Sequence, residues 1–287
     1  MTSCFFVSDL HGSASRYQKL FRAIKTERPE AVFMAGDILP QGFNIPKAIN
    51  VFRQDFINEF LVKQLLRLRQ ELKMEFPRIF LIMGNDDPRF EEASILEGAV
   101  QGVWEYIHKR KASFKSFYVY GYAYVPPTPF RLKDWERYDV SRYADPGCIS
   151  PEEGMYSFPV SLQEKEFATI QNDLADLTQS ENLERAIFLF HAPAYRTKLD
   201  LADLGGKKID HVPLDQHVGS IAIRRFIEAR EPLLTLHGHI HESARLSLSW
   251  RDLIGRTHCF SAAHDGPELA LIRFDPHDLE AATRQLI

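Results

Sequence analysis

Short apolar runs that end abruptly in acidic tips recur along the chain. Residues 4–7 form one such run, closed by Ser8-Asp9. Residues 31–34 form a second, closed by Gly36-Asp37, and residues 79–83 a third, closed by Gly84-Asn85-Asp86-Asp87. Four or five apolar residues without alternation fit strands buried on both faces. Between these runs the spacing becomes helical. Tyr17, Leu20, Phe21 and Ile24 predict a helix over 14–27 with Pro29 as its stop. Val51, Phe52, Phe56, Phe60, Leu61, Leu65, Leu68 and Leu72 predict one long amphipathic helix over 46–75. The second half repeats the theme: a helix over 161–179, a strand over 186–190, a helix over 220–230, a strand over 233–236, and late strands over 256–261 and 269–274. This order predicts an α/β fold with largely parallel central strands. In such sheets ligands sit beyond the carboxyl ends of the strands, where the acidic tips fall.

Two segments break the rhythm. Residues 113–145 are rich in aromatics; the first part alternates like a strand, and a Pro-rich loop near 124–160 is expected to pack over the sheet end. Residues 192–218, with Gly205-Gly206, read as a mobile rim loop. With no repeat or linker, a single domain over 1–287 is expected.

Composition narrows the partners. With 45% hydrophobic residues among 287, the chain can bury a sizeable core. A net charge of -4 gives no general attraction to nucleic acid, which is disfavoured as a partner. The basic run His108-Lys109-Arg110-Lys111 reads as a solvated turn. Cys4, Cys148 and Cys259 form no CxxC pair, which points to a reducing, cytoplasmic setting. No apolar stretch reaches the length of a membrane span. Self-association into a homo-oligomer is compatible with the sequence.

Histidines change the picture most. Eight of eleven lie between 191 and 264, and His237, His239 and His241 alternate directly after a predicted strand. Aspartates and histidines gathered at strand ends are poorly explained as scattered structural residues. Carboxylate and amide oxygens combined with imidazole nitrogens suit manganese, iron or zinc better than calcium or magnesium.

The ordered set Asp9-Leu10-His11, Gly36-Asp37, Gly84-Asn85-Asp86-Asp87, His191 and Gly238-His239-Ile240-His241 resembles the calcineurin-like metallophosphoesterase family. The family's blocks are DxH, GD, GNH followed by D or E, H, and GHxH. The resemblance implies a four-layer α/β/β/α sandwich. It also implies two divalent ions, manganese first with iron or zinc as alternatives. Asp9, His11 and His241 would hold one ion and Asn85, His191 and His239 the other, with Asp37 bridging both. A small phosphate ester, nucleotide-like in one reading, would be hydrolysed by attack of a metal-bridging hydroxide. Asp87 would orient a ligand or stabilise its turn.

One block departs from the pattern. Asp86 stands where the family carries a histidine that assists the leaving group. Two nearby cations would keep Asp86 ionised and without a proton to give. Acid catalysis contributes only about 10²–10⁴-fold, so hydrolysis survives its loss. By resemblance to family members that lack this histidine, the substitution implies a phosphodiester substrate. The alternatives are a phosphomonoesterase or nucleotide pyrophosphohydrolase, and a catalytically silent metal-binding interaction module. His217 is the first substitute proton donor, followed by His211 and His264. Arg196, Lys198, Lys207 and Lys208 in the rim loop are candidates to hold a terminal phosphate. Ser220 is expected to cap a helix, with phosphate binding there as the weaker reading. His237 is expected to be structural.

Overall fold

The structure, a computed structural model, describes residues 2–40, 55–206, 208–209 and 211–287. The first half contains β1 (Cys4–Val7), α1 (Ala14–Glu27), β2 (Ala31–Ala35), α2 (Lys63–Leu72), β3 (Arg78–Ile82), α3 (Glu92–Val100), β4 (Glu105–Tyr106), β5 (Arg110–Phe114) and β6 (Phe117–Tyr122). After a long irregular segment come α4 (Leu162–Phe167), α5 (Ile170–Thr178), β7 (Ala186–Phe190), β8 (Lys208–Ile209), β9 (Val212–Pro213), α6 (Ile221–Arg230) and β10 (Leu234–His237). The chain closes with α7 (Ser243–Ser247), β11 (Arg251–Ile254), β12 (Thr257–Ser261), β13 (Ala270–Asp275) and β14 (Asp278–Leu286).

The strands form two six-stranded sheets, ordered β14-β13-β1-β2-β3-β4 and β11-β12-β10-β7-β6-β5, plus the small β8-β9 hairpin. Within each, four neighbours run parallel: β1 to β4 in the first, and β12, β10, β7 and β6 in the second. The sheets meet face to face. Phe33 and Phe80 of the first pack on Phe114 of the second, and Phe274 of the first packs on Phe260 of the second. Every residue of β1, β2 and β7 is buried, as unbroken apolar strands require when both faces are covered. With helices outside both sheets, this is the expected four-layer arrangement.

Several expectations change in detail. Of the helix expected over 46–75, residues 46–54 lie outside the described residues. The remainder is a π-helical stretch at Phe56–Val62, then α2, then a 3-10 turn at Lys73–Glu75. The helix expected over 161–179 breaks at Ala168-Thr169. There the Thr169 hydroxyl accepts from the amide of Asn172 and caps a new helix, α5. The basic run is a turn only at Lys109, whose φ is +51°. Arg110 and Lys111 open β5, which pairs with β6, and the His108 ring packs 5.0 Å from Trp135 and 5.1 Å from Tyr124. Within the loop over 124–160, Trp135 is wholly buried and donates its indole N–H to the Asp87 carbonyl. The two ends of the rim loop are stapled together. The buried carboxylate of Asp200 accepts from the amides of Arg196, Thr197 and Gly219.

Candidate metal centre

The carboxyl ends of five parallel strands converge. β1 leads to Asp9 and His11, β2 to Asp37, β3 to Asn85, β7 to His191, and β10 to His239 and His241. The tips of the first sheet are bound as a continuation of its ladder. The amide of Asp9 donates to Gly36 at 3.0 Å and that of His11 to Asp37 at 2.7 Å. Within the second sheet the amide of Gly238 donates to the His191 carbonyl at 2.9 Å, and the amide of His239 reaches across to Asp9 Oδ1 at 3.0 Å. Glycines at these tips are steric necessities. A Cβ on Gly36, whose φ is +86°, would lie 2.7 Å from His191 Nδ1, and one on Gly84 would run into Asp37 and His191. Asp9, His11, Asp37 and His239 themselves adopt positive φ, a conformation that surrounding bonds must enforce in residues with side chains.

One donor atom from each of Asp9, His11, Asp37 and His241 falls within 4.8 Å of the others. His11 Nε2 lies 3.1 Å from His241 Nε2, and His241 Nε2 lies 3.3 Å from Asp9 Oδ1. Asp37 Oδ2 is 3.9 Å from His11 Nε2 and 3.3 Å from His191 Nε2. His191 Nδ1 donates to the Ala35 carbonyl at 2.7 Å, which turns Nε2 toward Asp37 and toward Asn85 Oδ1 at 3.0 Å. The His239 ring lies 5.1 Å from that of His191. A neutral imidazole nitrogen, a carboxylate oxygen and an amide oxygen facing one another are all acceptors. Such a set calls for a proton or a cation between them. The backbone carbonyl behind His191 is the support that metal-binding histidines use. The donor set therefore fits divalent ions.

The electrostatics agree. Burial alone would raise the two carboxyls, but His241 and His191 hold Asp9 well below the usual carboxylate range, and His191 does the same for Asp37. Burial also opposes protonation of His191 and His241, yet the Asp37 carboxylate lifts His191 to about 10 and the Asp9 carboxylate lifts His241 to about 9. Burial, helped by the charge of His191, pushes His239 down to about 3.

Asp86 sits at the edge of this group. Its amide donates to Asp37 Oδ1 at 2.9 Å, Asn85 Nδ2 donates to its Oδ1 at 3.0 Å, and its Oδ2 lies 3.9 Å from His11 Nδ1. Asp87 points away from it and is wholly buried. Its carboxylate accepts from the amides of Gly84, Ile38 and Leu39 at 2.8, 3.1 and 2.8 Å, locking two strand tips together. His237 is buried between the Ala192 carbonyl and the Thr235 hydroxyl, each at 2.8 Å.

The substitute residues separate. His217 Nδ1 lies 2.8 Å from Asp200 Oδ1. His264 pairs with Glu268 at 3.0 Å. The exposed His211 stands before β9 with a φ of +69°, and Lys208 opens β8. The exposed Arg196 lies over the ring of Tyr195, and the amide of Lys198 donates to Asp252. Lys207 lies outside the described residues. Ser220 is corrected to a cap alone. It is wholly buried, its hydroxyl accepts from the amide of Ile223, and the carboxylate of Asp139 already takes the amides of Ile221 and Ala222. A phosphate has no free amide there.

Sequence reasoning missed two supports. Ser8 donates to Asp9 Oδ2 at 2.5 Å, and Arg16 bridges the carbonyls of Asp9 and Gly266. Adjacency could have flagged Ser8. No local spacing announces a contact between Arg16 and residue 266.

A family profile described as calcineurin-like phosphoesterase matches residues 3–243. No curated protein sequence matches the chain. Among solved structures, the chain is similar to TT1561 of Thermus thermophilus, with a TM-score of 0.55, 12% identity, and 99% of this chain and 98% of that one covered. It is also similar to a dimetal phosphatase from Danio rerio, with a TM-score of 0.53, 14% identity, and 94% and 91% covered. Both likenesses are of fold and extend through both sheets.

Proposed function

Because the chain belongs to the calcineurin-like phosphoesterase family, we propose that it is a metal-dependent phosphodiesterase, with manganese as the resident metal. The observation that carries this reading is the position of Asp37 Oδ2, between His191 on one side and His11 on the other. One carboxylate can thus serve two ion positions, with Asp9, His11 and His241 around one, and Asn85, His191 and His239 around the other. Ions held there would supply charge neutralisation at the phosphoryl oxygens and water of lowered pKa. The chain's own groups do the positioning. Asp87 fixes the tips that carry Asp37 and Asn85, and the Ala35 carbonyl fixes the His191 ring.

Asp86 supports the choice of a diester. A carboxylate at the edge of the site repels a monoester dianion more than a diester monoanion, and the interaction grows in a partly buried setting. We further read the protein as cytoplasmic. Among the described residues no helix is long and apolar enough to cross a membrane.

The test is direct. Purified protein supplied with manganese should cleave bis-p-nitrophenyl phosphate faster than p-nitrophenyl phosphate. The reverse order would assign a monoesterase. Metal content below about one ion per chain, with no turnover of either ester, would return the chain to a silent binding module.

A further inference from the structure

A cleft of about 560 Å³ opens beside the metal centre's supporting loop and contains none of the seven proposed ligands. Its walls include Arg89, His108, Lys109, Tyr124, Arg137 and Glu164. Three cations line it and Glu164 is the one carboxylate among its lining residues. Asp173, set behind, balances Lys109 and one face of Arg137 through bonds of 2.7 Å to each. Arg89 is paired more loosely. Its guanidinium is 23% exposed and lies over the ring of Trp135 at 5.5 Å. Its carboxylate neighbours, Glu164 at 3.5 Å and Glu92 at 3.6 Å, stand beyond good hydrogen-bonding distance. Arg137, 9% exposed, lies over the ring of Tyr124 at 3.9 Å, and its Nε is buried without a partner among the described residues. Two guanidinium planes are fixed by aromatic rings, and their terminal nitrogens facing Glu164 form a fork suited to phosphate or carboxylate.

Glu164 fills this place from within. It bonds Arg137 and accepts from Tyr124 Oη at 3.3 Å. Yet the helix that carries it, α4, buries no residue and exposes Leu162 and Phe167. Among the described residues no buried apolar side chain of α4 anchors Glu164, which Arg137 and Tyr124 hold through polar contacts.

We infer that the cleft is a second ligand site, which takes the phosphate or carboxylate end of a small molecule between Arg89 and Arg137 in exchange for Glu164. His108 fits the role of a neutral wall, since burial and the charges of Lys109, Arg137 and Arg89 keep its imidazole unprotonated. The cleft adjoins the centre mechanically. Trp135, beneath Arg89, donates its indole N–H to the carbonyl of Asp87 at 2.8 Å.

The experiment follows the arginine Nε–Hε signals of the full-length protein by NMR while sodium sulfate or sodium acetate is added at constant ionic strength. Saturable shifts at Arg89 and Arg137 are expected with at least one anion. The anion that saturates at lower concentration assigns the phosphate or the carboxylate class. Glu164→Gln should tighten binding by roughly tenfold, the factor that one displaced ion-pair hydrogen bond represents. Arg89→Gln should abolish the saturable response. Shifts that stay linear with both anions, or an affinity unchanged by Glu164→Gln, would overturn the site. The Glu164 variant keeps the test decisive should Arg89→Gln fold poorly.

Discussion

His11 and His241 are 230 residues apart in the chain, yet their Nε2 atoms lie 3.1 Å from each other. Neither ring has a reason to approach the other except through something held in common, and Asp9 and Asp37 supply the negative charge that completes the group. Replacing Asp37 by alanine should therefore affect both ion positions at once. Loss of a partner that merely supports a ligand costs about 10–100-fold in metal affinity or activity. Asp37→Ala should exceed that in both, read by elemental analysis of the dialysed protein and by esterase assay. Retention of two ions per chain would remove Asp37 from the bridging role.

Asp86 tests the substrate assignment. Asp86→His restores the family's pattern and removes the repulsion described above. Monoester hydrolysis should rise relative to diester hydrolysis, with about 10²–10⁴-fold as the ceiling set by proton transfer. Parallel kcat/KM measurements on the two p-nitrophenyl esters check it. A variant that loses its metal instead would identify Asp86 as a ligand.

His108 gives a pH signature independent of the metals. Burial first, then the neighbouring Lys109, Arg137, Arg89 and Arg110, hold its folded pKa well below the ordinary value of 6.5. A depressed pKa means that the unfolded chain takes up the proton first. The contribution to stability is complete above pH 6.5 and is lost as pH falls toward the folded value, by at most about 1.4 kcal/mol per pH unit. Urea unfolding at a series of pH values should show a shallower acid decline for His108→Gln than for the parent protein. Equal slopes would mean that other groups govern the acid limb.

Ser220 separates capping from binding. Ser220→Ala removes one bond at the start of α6 and one to Asp139. It should lower stability by about 1–2 kcal/mol with kcat/KM preserved. A loss of kcat/KM at constant melting temperature would put substrate at that position after all.

What the sequence reveals is what local rules enforce. The tips at Asp9, Asp37 and Asn85 are legible because each needs a buried strand before it, and Asp37 and Asn85 also need a glycine where a Cβ would strike His191 or Asp37. The order β1, α1, β2 follows from periodicity alone. Edge strand β14 is different: its Asp278–Leu286 segment is largely polar, half exposed, and becomes a strand only by pairing with β13. Helix α3 escapes for a related reason, since Ile95 is its one buried large apolar residue and Gly98 packs under Trp104. Asp139 at the start of α6 and Arg16 against Gly266 join residues 82 and 250 positions apart, beyond any local spacing. The rim loop reads as loose from its glycines, and its spacing gives no sign that the buried carboxylate of Asp200 ties Thr197 near one end to Gly219 at the other.

The division of ligands between the sheets carries a consequence for how the activity can be inherited. Asp9, His11, Asp37 and Asn85 come from one sheet, and His191, His239 and His241 from the other. A chain severed between β4 and β5 would leave each piece with an incomplete donor set. Turnover would return only when the pieces reassemble, so fragment complementation would report both docking of the two sheets and pairing of β1 with β13, which the cut leaves on different pieces, and neither half could act on its own.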